Sequence, residues 1–203
     1  MQLRVGAGLL LGIAIGCSDP VSNPNSNQVA SLNPSDASLT SDNSDTRGSF
    51  GAANIAVLDD CDPSDPAWNP TGGCSLRGGL VTEAEFGQLL ASPLSQSVVG
   101  HPAWRNEPSY LKVRPGKTIR VENEGGRLHT FTHVAQFGGG RIPPLNIGLT
   151  MAPECALAPG ATDPNALPPG ASLEISNLAA GNHRYMCCIH PWMRALIKVA
   201  PGT

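Results

Sequence analysis

The sequence predicts an all-β sandwich, and three observations point to it. First, short segments in the second half alternate apolar and polar residues, the period of a half-buried strand. Second, turns carrying glycine or proline separate these segments, and 23 Gly and 19 Pro in 203 residues favour short strands and long loops over helix bundles. Third, the alternating region runs from about Ser97 to the end of the chain, roughly a hundred residues and enough for one sandwich core. Charged residues make up 14% and the net charge is −3, with no Lys/Arg run, so a nucleic-acid partner has no support and none is expected. A mildly acidic surface still suits orientation of a charged partner.

The chain opens with Met1-Gln2-Leu3-Arg4 and an apolar stretch from Val5 to Ile15, interrupted only by glycines. That is the length of a signal-peptide core and falls short of the roughly 20 residues that span a bilayer. Ala14-Ile15-Gly16-Cys17 then resembles a bacterial lipobox. The resemblance implies a signal peptide over residues 1–16 and lipidation at Cys17, with an anchor on the periplasmic side of a bacterial membrane. Ser18 suits sorting to the outer membrane. The other reading is an ordinary cleaved signal in which Cys17 is incidental. Residues 17–50 are rich in Ser, Asn, Asp and Pro and bury too little apolar surface to offset their ordering entropy. They read as a lipidated, disordered linker that lets a domain reach partners above the membrane.

Residues 51–96 read as an N-terminal extension. Cys61 and Cys74 flank a Pro/Gly-rich loop, and two cysteines so spaced in an exported chain most simply form a disulfide. The acidic run Asp59, Asp60, Asp62 and Asp65 offers a calcium loop as the alternative, but it lacks the glycine and distal glutamate of an EF-hand. Thr82 followed by Glu85 forms a capping box, so a short helix is expected through Leu90.

Strands are expected at Tyr110–Val113, Thr118–Asn123, His129–Val134, Leu173–Ile175, His183–Cys187 and Ala195–Val199. Between the third and fourth lies Phe137 to Gly170, too long to stay structureless in a compact domain unless something ties it down. Cys155 is the available tie.

The chemistry concentrates near the C-terminus, in Tyr185-Met186-Cys187-Cys188-Ile189-His190-Pro191-Trp192-Met193. Cys187, His190 and Met193 offer a thiolate, an imidazole and a thioether, each separated from the next by two residues. With one further imidazole, these are the donors of a blue-copper electron-transfer site. His129 or His133 can supply it. In one extended strand they point to the same face about 13 Å apart, so only one binds the same metal.

That loop, followed by a hydrophobic strand, resembles the C-terminal ligand loop of cupredoxins, in the short form of amicyanin and related plastocyanin-like proteins. Leu111 to Asn123 resembles the preceding paired strands, and His129-Thr130-Phe131-Thr132 sits where that family carries its first histidine. The resemblance covers about residues 97–201. It implies a cupredoxin-like Greek-key β-sandwich holding one type 1 copper ion, with His129, Cys187 and His190 as equatorial ligands and Met193 as the axial one. It also implies an electron carrier, not an enzyme, that serves redox partner proteins through an exposed His190 edge, with Pro191 and Trp192 beside it. With Cys187 on copper and Cys17 on lipid, pairing Cys61 with Cys74 leaves Cys155 with Cys188, which would pin the long loop. A swap of roles between Cys187 and Cys188 is the other assignment. His133 remains the rival to His129. His101 and His183 are expected in surface or structural roles.

Two other functions compete. A periplasmic copper-binding or delivery protein would use the same donors, although a Met/His-rich tract is absent. An oxidase would need His-X-His pairs, and none occurs. A Cys/His hydrolase would need a free nucleophile beside its base, and the methionine after the Cys187/His190 pair suits a metal better.

Overall fold

Each alternating segment has one face that must be buried, and pairing two such faces makes the core. The computed structural model describes residues 53–91, 100–146 and 148–202. The expected leader, Cys17 and the linker lie outside the described residues. The strands are β1 (Ala53–Leu58), β2 (Arg105–Glu107), β3 (Tyr110–Val113), β4 (Ile119–Asn123), β5 (His129–Thr130), β6 (Thr132–Val134), β7 (Ala166–Leu167), β8 (Ser172–Ile175), β9 (Gly181–Met186) and β10 (Arg194–Val199). One α-helix, α1, spans Glu83–Ala91.

Two four-stranded sheets pack face to face, in the orders β2-β1-β4-β8 and β3-β10-β9-β6. The expected all-β sandwich is therefore the observed fold. Its pairings are mixed: β1 runs parallel to β4 and β3 parallel to β10, while the other pairs are antiparallel. Between the sheets lie Ile55 and Val57 of β1, Ile119 and Val121 of β4, and Ala195, Ile197 and Val199 of β10. Val57, Ile119, Val121 and Ile197 are fully buried, and each such side chain contributes about 2 kcal/mol.

Three strands were not anticipated: β1, β2 and β7. The first matters most. Residues assigned to the extension supply β1, which lies between β2 and β4 and pairs with β4 from Ala53↔Ile119 to Val57↔Asn123. Cys61, Trp68, Val81 and Phe86 of the extension pack into the same core. Cys61 and Cys74 are bonded. Thr82 caps α1 by accepting the Glu85 N–H at 3.2 Å. Trp68, Phe86 and Trp104 pack edge-on and tilted against one another, with Phe86 and Trp104 centroids 4.7 Å apart.

The segment from His129 to Val134 is not one strand. It breaks at Phe131, whose N–H bonds Asn165 O at 3.1 Å. β5 pairs with β7 in a small ribbon, whereas β6 joins the edge of the second sheet beside β9. The expectation that His129 and His133 share a face is therefore corrected: the break separates their environments, and His129 is buried while His133 is exposed.

The long loop is tied in two ways. Cys155 is bonded to Cys188. The loop also pairs with itself, through Gly139 N to Thr150 O (2.7 Å) and Ala152 N to Gly139 O (2.9 Å), and with the ligand loop through Arg141 N to Cys188 O (2.7 Å).

Candidate metal centre

The loop from Cys187 to Met193 joins two strands already in register, with Met186 opposite Arg194. Its neck is closed by Cys187 N to Met193 O (3.0 Å), and a turn inside it by Met193 N to His190 O (2.9 Å). This short, doubly tied loop presents Cys187 and His190 inward, and both are buried. Successive side chains of an extended segment point oppositely. Cys187 therefore belongs to the core between the sheets, and Cys188 to the cluster with Val134, Ala152 and Cys155 on the other face.

His129 arrives from β5. Its Nδ1 lies 3.9 Å from Cys187 Sγ, and His190 Nδ1 lies 3.7 Å from the same sulfur. The ligand atoms of His129, Cys187 and His190 all fall within 4.8 Å of one another. Two backbone N–H groups, of Thr130 and His190, each approach the sulfur at 3.4 Å. Burial works to raise the Cys187 thiol, but the two imidazoles override it and hold the thiol well below its ordinary range. That balance favours the thiolate, the form that binds metal. Burial likewise holds the His190 imidazole below its ordinary value, against the pull of that thiolate. For His129 burial alone would do the same; hydrogen bonds to Asp59 and Cys187 reverse it and push the ring up to about 9.

Asp59, at the C-terminal end of β1, accepts from His129 Nε2 at 2.8 Å, with both side chains fully buried. It also accepts the N–H groups of Gly126 (3.0 Å), Arg127 (3.0 Å) and Cys61 (3.3 Å). The acidic run in which it sits does not converge: Asp62 bonds Ser64, and Asp65 accepts from Ala67 and Glu83. Arg127, on the turn before His129, stacks over Trp68 at 4.5 Å and donates to Thr71 O at 2.9 Å. The extension and the His129 turn are thereby one packed unit.

The structure thus brings together three of the four expected ligands by their donor atoms. Met193, the fourth, is buried at 1% exposure in the same core cluster. His133 stays away, with its ring against Tyr185 (4.9 Å) and His183 (5.5 Å). Among the described residues, Cys187 is the one free cysteine, and Cys61, Cys74, Cys155 and Cys188 are paired 61–74 and 155–188. The expected exposed His190 edge is corrected. His190 and Trp192 are buried, because Phe86, Trp104 and Trp192 surround the imidazole at 6.3, 6.4 and 5.5 Å. The ring instead lines a cavity of about 790 Å³ with Trp68, Phe86, Leu128, Ile142 and Leu145.

A thiolate, two imidazoles presenting Nδ1, and a buried thioether fit a soft-to-borderline metal ion. Sequence reasoning placed Asp59 only in the acidic run of a possible calcium loop and missed its bond to His129.

No family model matches the sequence, and no curated protein matches it. Solved structures similar to the chain include the purple cupredoxin from Nitrosopumilus maritimus, at 15% identity over 73% of this chain and 99% of that one, with a TM-score of 0.38. Reduced amicyanin variants are also similar. One is 20% identical over 55% of this chain and 88% of its own (TM-score 0.32), and another 22% identical over 46% and 70% (TM-score 0.30). At these scores they are resemblances only, and the reading of the site rests on its own side chains.

Proposed function

We propose that the chain is a mononuclear type 1 copper protein that carries single electrons between exported redox partner proteins. The observation that carries this reading is the convergence of a buried thiolate and two buried imidazoles within 4.8 Å. Bound copper would supply a one-electron couple, for which thiolate and thioether suit the cuprous state and imidazole suits both. His129, Cys187 and His190 would be the equatorial ligands and Met193 the axial one.

The protein's part is to hold these donors still. Two N–H groups fix the Cys187 sulfur, Asp59 fixes the His129 ring, and three aromatic rings fix His190. A donor set that cannot rearrange keeps the reorganisation barrier low. The cavity beside His190 is the route by which a partner reaches the site.

Export belongs to the same proposal. Lipidation at Cys17 would anchor the chain on the periplasmic side of a bacterial membrane, the outer one on the strength of Ser18. Two disulfides support an oxidising compartment. Metabolic labelling with a fatty acid tests the anchor, and an unlabelled wild-type protein would contradict it.

The function is tested by adding Cu(II) to the purified protein and recording its visible spectrum. An intense thiolate-to-copper band is expected, bleached by reductant, restored by oxidant and missing in Cys187→Ser. A colourless protein that binds only Cu(I) and passes it on would instead establish copper delivery.

A further inference from the structure

We propose that Asp59 is a positioning residue of the metal centre, whose buried negative charge acts through His129 to favour the cupric over the cuprous state. This rests on the reading of His129, Cys187 and His190 as copper ligands.

The geometry has three parts. The His129 ring offers Nδ1 to the Cys187 side of the site and Nε2 to Asp59, at 2.8 Å. An Nε2–H donated to a carboxylate leaves Nδ1 as the lone-pair nitrogen and makes it more basic. A more basic nitrogen stabilises the more highly charged metal state. Second, Asp59 is held as a carboxylate by the N–H groups of Gly126, Arg127 and Cys61 besides His129. Its side chain and that of His129 are fully buried, so the pair is screened far less than a surface pair. Third, the guanidinium of Arg127 is turned elsewhere, donating to the carbonyls of Trp68, Thr71 and Gly73. It feels the Asp59 charge but does not hydrogen-bond the carboxylate, so His129 is the side chain that the carboxylate bonds directly.

The close fit around Asp59 is itself specific. A Cβ at Gly125 would overlap the Asp59 carboxylate and its backbone nitrogen. The N-terminal extension therefore does more than complete a sheet: it places one charge behind one ligand. The Cys61–Cys74 bond lies next to that charge, with Cys61 donating its N–H to Asp59 at 3.3 Å.

The test uses the full chain, as wild type, Asp59→Asn and Asp59→Glu. Dissociation constants for Cu(II) and Cu(I) and the visible spectrum are measured for each. Asp59→Asn should keep a shifted charge-transfer band while the affinity for Cu(II) falls about tenfold relative to Cu(I), which is a rise in potential of about 59 mV. Asp59→Glu, which restores the charge, should recover part of that ratio. A folded, blue Asp59→Asn protein with the wild-type ratio overturns the proposal. Should Asp59→Asn not fold, Asp59→Ser, smaller and uncharged, takes its place: the Cu(II)-to-Cu(I) affinity ratio should fall in the same direction, and a wild-type ratio there overturns the proposal. A wild-type chain with no charge-transfer band defeats the copper reading itself, and this proposal with it.

Discussion

Cys187 is where the short-range and long-range parts of the site meet. The thiol, His190 and Met193 lie within one seven-residue loop, and for that reason they are legible in the sequence. His129 is 58 residues away from Cys187, and Asp59 a further 70 from His129. His129 was found because it is a histidine in a segment able to reach the loop. Asp59 was not, because a carboxylate in an acidic run suggests a calcium loop at most, and nothing local reveals that its partner is His129. The rivalry between His129 and His133 separates cleanly by burial. His129→Ala should abolish stoichiometric copper binding, whereas His133→Ala, on an exposed edge position, should leave the copper content and visible spectrum unchanged; both are read by metal analysis and absorbance. Met193→Leu should keep copper and raise the reduction potential. An unchanged potential in voltammetry would remove Met193 from the axial role.

At the level of elements, the sequence pattern located most strands but mistook one. Period-two alternation cannot show that a strand changes partner halfway, and His129–Val134 does so at Phe131, where its N–H turns to Asn165. That switch delivers His129 into the site while His133 remains on the edge of the second sheet. The long loop was expected to need a tie, and the bond between Cys155 and Cys188 is one. The internal pairing of Gly139 with Met151 is another, invisible because it joins two isolated residues. The turn before β5 carries a steric demand of its own, because a Cβ at Gly125 would meet the Asp59 carboxylate. Gly125→Ala should push the Asp59 carboxylate off His129 and cost about 1–3 kcal/mol, the range for overpacking, read as a lower denaturation midpoint at unchanged m-value.

On the scale of the whole molecule, residues 53–91 prove to be structural. Sequence reasoning saw in them a disulfide and a capped helix but no strand, although Ala53–Leu58 is a short, mostly apolar run. Its central place in the first sheet depends on β4, more than sixty residues later, and such a pairing leaves no local trace. The same segment contributes Trp68 and Phe86, which close over the His190 side of the site. A chain beginning at residue 97 should therefore fail to fold. It would lose β1 from between β2 and β4, together with Ile55 and Val57 from the core. Circular dichroism should show no cooperative thermal transition; a stable, cooperatively unfolding fragment would show that the extension is an accessory.

The central claim is that one metal ion sits among His129, Cys187 and His190. X-ray absorption at the copper edge of the copper-loaded full chain measures this most directly. One sulfur scatterer at short range with two imidazole nitrogens is predicted, and the sulfur scatterer should disappear in Cys187→Ser. A copper environment of nitrogen and oxygen alone in the wild type would contradict the account.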